Sequence, residues 1–285
     1  MSSFDPPLCF LFDNGSLRAA ATLSLRDVAG RFAARLGSEV RPVSLLHSSG
    51  VAPRELNDEP AQLLEPALLQ FARQGGRRAV LLPLFFGPSG ALTEYLPARL
   101  ASIKRQYPEL HVAVAKWLVT TDDDSADLVA GILARAVEAT RLGQGLSRPK
   151  VLLTDHGSPQ LGVTQVRNRL GVLLGERLGS AAEAVGVASM ERRPEPAYDF
   201  NEPSLERALR QAPFDSGDVI VALQFLQAGR HAGPGGDIAQ ICRQAEAERP
   251  GLRTYLTEPL VRDPALLELL ARRYAAAVKS AASAR

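Results

Sequence analysis

Apolar runs recur along this chain, and each is closed by a polar or glycine-rich turn. Leu8–Phe12 (LCFLF) runs into Asp13-Asn14-Gly15-Ser16, and Arg78–Phe86 (RAVLLPLFF) runs into Gly87-Pro88-Ser89-Gly90. Val40–Leu46 and Leu110–Trp117 are further runs of this kind. Runs this short, bounded by turn formers, predict buried strands of a parallel sheet. Between them the apolar spacing changes to that of a helix: Leu25–Leu36, Gln62–Arg73, Tyr95–Gln106 and Ala126–Ala139. Ser49–Glu59 reads as a polar loop. Asp122–Asp124 reads as a cap, because carboxylates favour the N-terminal end of the helix that follows. Arg141–Lys150 (RLGQGLSRPK) has the glycine, serine and proline of a linker.

The second half replays the first. DHGS, beginning at Asp155, repeats DNGS, beginning at Asp13. VALQFLQAGRH, ending at His231, repeats LLPLFFGPSGA, ending at Ala91. ERPGLRTYL around Pro250 repeats QYPELHVAV around Pro108. All three landmarks are displaced by almost the same distance along the chain, which predicts a duplication. Each copy alternates strand and helix, which predicts an α/β fold with right-handed crossovers. The expected architecture is two tandem lobes, 1–141 and 150–285, each with a parallel sheet of about four strands flanked by helices, and a cleft between them.

The copies differ where chemistry would sit. The strand Val151–Leu153 ends in Asp155-His156-Gly157-Ser158, and the strand VIVALQF leads to a glycine-rich turn carrying His231. The first copy has Asn14 and Ala91 at these places. In an open α/β sheet, ligands bind beyond the carboxyl ends of the strands. Two imidazoles at two such ends predict one site, housed in the second lobe. His47 falls near the first-half counterpart of Glu191, and His111 lies in a strand run; both read as structural. The run Gly233-Pro234-Gly235-Gly236 lacks the lysine of a phosphate loop and reads as a turn. Ser158 sits in no GxSxG elbow, which disfavours a hydrolase nucleophile.

Composition narrows the classes. With 46% hydrophobic and 22% charged residues, the 285-residue chain has a globular core. Net charge is +2 with no basic run, so nucleic acid is not an expected partner. No apolar stretch approaches the roughly 20 residues of a membrane span. MSSFDPP has neither the basic nor the apolar region of a signal peptide, and Cys9 and Cys242 form no CxxC, so a reducing cytoplasm is expected.

On these residues the chain resembles the sirohydrochlorin chelatases, the CbiX/SirB-type class II tetrapyrrole chelatases, in a two-lobed form with a degenerate N-terminal half. The motifs are His156-Gly157-Ser158 after a strand, then Phe225, Leu226, Gly229, Arg230 and His231, then the acidic-aliphatic pair Asp237 and Ile238. Between them come Glu191 in VASMERR and the helix start Glu202-Pro203-Ser204-Leu205. Departures are a longer Gly233-Pro234 turn and an insertion with Pro194, Pro196 and Tyr198, so Glu195 or Glu202 stand as alternatives to Glu191.

The resemblance implies insertion of a divalent metal, Fe²⁺ or Co²⁺, into sirohydrochlorin for sirohaem or cobalamin synthesis. The metal would be a substrate, with no organic cofactor. It implies His156, His231 and Glu191 as metal ligands and catalytic groups, and Ser158, Gly229 and Arg230 as binding residues. Imidazole suits such ions and, with an ordinary pKa of about 6.5, serves as a base near neutrality. Arg230, Arg192 and Arg193 are candidate partners for the macrocycle's carboxylates. A monomer or homodimer is expected. The alternative is a non-catalytic tetrapyrrole or metal carrier derived from a chelatase.

Overall fold

The computed structural model describes residues 6–233 and 235–283. It contains two four-stranded parallel sheets of one topology. The first holds β1 (Leu8–Asp13), β2 (Val40–Ser44), β3 (Arg78–Pro83) and β4 (His111–Val114) in the order β2-β1-β3-β4. The second holds β5 (Lys150–Asp155), β6 (Val185–Ser189), β7 (Gly217–Leu223) and β8 (Leu252–Leu256) in the order β6-β5-β7-β8. The central strands are the most apolar: Val151–Leu153 of β5 and Val219–Ala222 of β7 have no exposed surface. Burial on both faces explains why these strands read as continuous apolar runs.

The helices are α1 (Ala19–Leu36), α2 (Leu64–Arg73), α3 (Leu96–Gln106), α4 (Ser125–Gly143), α5 (Leu161–Leu178), α6 (Leu205–Ala208), α7 (Asp237–Glu248) and α8 (Pro264–Ser283). Strand ends fall short of the sequence reading because several apolar residues belong to turns; β3 stops at Pro83, and Leu84–Phe86 lie beyond it. The linker reading of Arg141–Lys150 starts too early, since α4 runs on to Gly143 and β5 begins at Lys150.

The chain forms two compact units, 1–118 with 267–285, and 119–266. These boundaries differ from the repeat halves 1–141 and 150–285, because the helix after each fourth strand is held elsewhere. In the second unit α4 lies on α5, where Arg177 pairs with Asp127 at 2.6 Å, and Arg135 pairs with Asp263 at 2.8 Å. In the first unit the Tyr274 hydroxyl donates to the Pro7 carbonyl at 3.1 Å and its ring meets Phe32 edge-on. Cys9 and Cys242 are free, and burial pushes their thiols up to about 12 and about 11. Among the described residues no helix is long and apolar enough to cross a membrane.

Candidate metal centre

The strand order places the site. From β5 the chain crosses to β6 on one side, and from β7 it crosses to β8 on the other. The loops leaving two adjacent strands therefore diverge, which opens the crevice in which α/β sheets bind ligands. His156 follows β5 directly, and His231 lies in the loop after β7. Their ring centroids are 4.7 Å apart, with an interplanar angle of 75°.

Register brings in Glu191. Asp155 pairs with Ser189, and the ladder continues past both strands: Met190 N–H donates to Asp155 O at 2.8 Å, and Glu191 N–H to His156 O at 3.2 Å. Glu191 Oε1 then stands 3.5 Å from His156 Nε2. The approach requires glycine at 157. Gly157 has φ +91°, and a Cβ there would lie 2.0 Å from Glu191 O. The first unit makes the same turn, with Gly15 at φ +89° and Leu46 in the place of Glu191. His47 stands one residue further on and is exposed, as is His111 on β4.

The two imidazoles share one electronic arrangement. His156 Nδ1 is 3.1 Å from Gly157 O, and His231 Nδ1 is 2.7 Å from Asp237 Oδ2. A carbonyl and a carboxylate only accept, so these two contacts favour the tautomer with the proton on Nδ1 and a lone pair on Nε2. Asp237 reaches His231 because the loop folds back: Ile238 N–H donates to His231 O at 3.2 Å, and a Cβ on Gly236 would lie 2.7 Å from the same oxygen. Asp237 is in the first turn of α7, where a carboxylate is favoured. Arg230 is 69% exposed in its side chain, with Nε 3.5 Å from Asp237. Gly229 has open space where a Cβ would point. Pro234 lies outside the described residues. Among those residues no three His, Cys, Asp or Glu side chains are already grouped to hold a metal ion. The imidazole pair and the carboxylate are neighbours rather than a closed cage.

The other sequence candidates divide. The Ser158 hydroxyl accepts from Gln160 N–H at 3.1 Å within its own turn. Glu202 is committed: it receives Arg192 Nε at 2.7 Å and Ser204 N–H at 3.0 Å. Arg192 also pairs with Asp199 at 2.8 Å, so it fastens the insertion instead of facing a ligand. Arg193 lies over the Tyr198 ring. The sequence reading missed the support beneath His156. The buried Asp155 accepts from Gly157 N–H at 3.1 Å and from the Ser189 hydroxyl at 2.7 Å, and Arg167 stands 3.7 Å from it. Burial raises the Asp155 carboxyl, against the pull of Ser189 and Arg167.

Comparison with known proteins bears on the family and the fold. The CbiX family model matches residues 150–277, the segment that carries both imidazoles, Glu191 and Asp237. The second half of this chain is therefore similar to the CbiX family. The CbiX fold extends to the first half as well. SirB from Bacillus subtilis with Fe³⁺ superposes with a TM-score of 0.68 at 13% identity, over 98% of each chain. SirB from the subspecies spizizenii, in complex with cobalt, gives 0.61 at 13% identity, over 96% of this chain and 97% of that one. A structure of CbiX, described as the terminal enzyme of sirohaem biosynthesis in denitrifying bacteria, gives 0.60 at 17% identity, over 95% and 99%. No curated protein sequence matches the chain significantly.

Proposed function

We propose that this chain inserts a divalent metal, Fe²⁺ or Co²⁺, into a sirohydrochlorin-type tetrapyrrole. The observation that carries the reading is the imidazole pair: centroids 4.7 Å apart, each with Nδ1 engaged by an acceptor and Nε2 left basic. The match of residues 150–277 to the CbiX family model supports the reaction class. The metal is a substrate in this reading. His156 and His231 receive the ion through Nε2, and a set of few ligands lets it leave for the macrocycle.

Insertion releases two pyrrole N–H protons for each M²⁺ taken up. Glu191, 3.5 Å from His156 Nε2, supplies a carboxylate to accept one or to relay it. As the ion passes to the macrocycle, the freed imidazole accepts the other. Arg230, whose side chain is 69% exposed, is the proposed partner for a substrate carboxylate, and Gly229 and Ser158 are the further binding residues of this reading. The iron product would serve sirohaem, and the cobalt product cobalamin.

The test is an anaerobic assay of the full chain with sirohydrochlorin and Fe²⁺ or Co²⁺, following the macrocycle's absorption. Metallation above the spontaneous rate is expected, and its loss in His156→Ala and His231→Ala, both still folded. Binding of metal and macrocycle without acceleration would make the chain a carrier and overturn the enzymatic reading.

A further inference from the structure

We propose that Asn201, held in place by Arg167, is a positioning residue that fixes the tautomer and orientation of His156. The inference rests on the proposed metal role of His156 for its importance, but its geometry stands apart from that role. His156 Nδ1 is 3.1 Å from the carbonyl of Gly157. That carbonyl belongs to the same peptide group as the N–H of Ser158, which donates to Asn201 Oδ1 at 3.0 Å. Asn201 Nδ2 donates in return to Ser158 O at 2.9 Å. One amide side chain therefore grips the peptide against which the imidazole sets its proton.

Asn201 is itself locked. It is buried, and its Oδ1 also receives the Thr164 hydroxyl at 3.0 Å. Its carbonyl receives Arg167 Nη1 at 2.9 Å, while the same guanidinium binds the Ser189 hydroxyl and, through Nε and Nη2, Asn168 Oδ1. Only 1% of Arg167 is exposed. Removing a guanidinium from water costs several kcal/mol, which pairing only partly returns.

The fold does not require that cost. In the first unit Asp13-Asn14-Gly15 makes the same turn, with matching φ at glycine, and Leu25 holds the place in the repeat that Arg167 holds in the second. Leu25 is equally buried, and each turn leaves one aspartate oxygen without a hydrogen-bond partner, Asp13 Oδ1 in the first and Asp155 Oδ2 in the second. The arginine accompanies the copy of the turn that carries an imidazole. The insertion 192–201, anchored by the Arg192 ion pairs, delivers Asn201 to this point.

The test uses the metal-free full chain, with ring ¹⁵N spectra of His156 as the readout. In the wild type His156 is expected as one tautomer, protonated at Nδ1. Asn201→Ala and Arg167→Leu should each give a mixture of tautomers, and Arg167→Leu should also lower the melting temperature, because it leaves Asp155, Ser189 and the Asn201 carbonyl without their buried cation. Co²⁺ affinity should fall about tenfold or more in both, as for other residues that orient a ligand. Arg167→Lys, which cannot span Ser189 and Asn201 together, should recover part of the loss. An unchanged His156 spectrum in Asn201→Ala would overturn the proposal, whether or not Arg167→Leu folds. A wild type with one His156 tautomer and no metallation would count against the chelatase reading alone.

Discussion

Asp237 Oδ2 lies 2.7 Å from His231 Nδ1, and this contact decides which ring nitrogen of His231 keeps its lone pair. A carboxylate behind an imidazole also raises its basicity as a ligand. Asp237→Asn keeps the shape and presents an amide whose NH₂ can turn toward Nδ1, which favours the wrong tautomer. Metal affinity and turnover are each expected to fall about 10- to 100-fold. Titration with Co²⁺ and the metallation assay check this; equal values in variant and wild type would remove Asp237 from the site.

Glu191 is joined to His156 by register, but its carboxylate side chain is 62% exposed. Glu191→Gln should therefore fold normally. If the carboxylate handles a proton, turnover falls about 10²-fold while the Kd for Co²⁺ shifts far less. A parallel loss of both would make Glu191 a ligand first.

Two glycines near the site should behave oppositely. A Cβ at Gly157 would lie 2.0 Å from a backbone oxygen, with φ at +91°. Gly157→Ala is expected to cost about 3 kcal/mol or more. At Gly229 nothing stands within 4 Å of an added Cβ, and Gly229→Ala should stay within about 0.5 kcal/mol of the wild type. Urea unfolding measures both. If Gly229→Ala loses turnover at unchanged stability, ligand passes close to that backbone.

Asp13 gives a stability effect in acid. Burial pushes its carboxyl up to about 6, against hydrogen bonds from Ser44 and Gly15. Its folded pKa is raised above the unfolded one, so the native state binds more protons between the two values. This group's contribution to stability is full below about pH 4 and is lost as pH rises through about 6. Asp13→Asn should flatten that part of the stability–pH curve. An unchanged slope between pH 4 and 6 would show that Asp13 titrates normally.

Much of the fold was legible along the chain. Strands buried on both faces must be apolar throughout, so β1, β3, β5 and β7 announced themselves, and the repeat of their turns gave the duplication. His156 and His231 could be named because each follows such a strand, and glycine at 157 marked the turn. The pairing of Glu191 with His156 was open, with Glu195 and Glu202 as rivals, because register is not written in local sequence. The ladder past Asp155 and Ser189 brings Glu191 to His156, while Glu202 pairs with Arg192.

What the sequence by itself determined is the set of local preferences: which segments are strand or helix, which turns need glycine, and where imidazoles end a strand. Only tertiary structure decided which carboxylate backs His231, that Asn201 and Arg167 lie beneath His156, and that the helix after each fourth strand departs from the repeat boundaries. The physical reason is distance along the chain. Asn201 lies 43 residues from Ser158, and Arg167 lies 22 from Ser189. Contacts of that range depend on how strands register and helices pack, and no local pattern of polar and apolar residues encodes them.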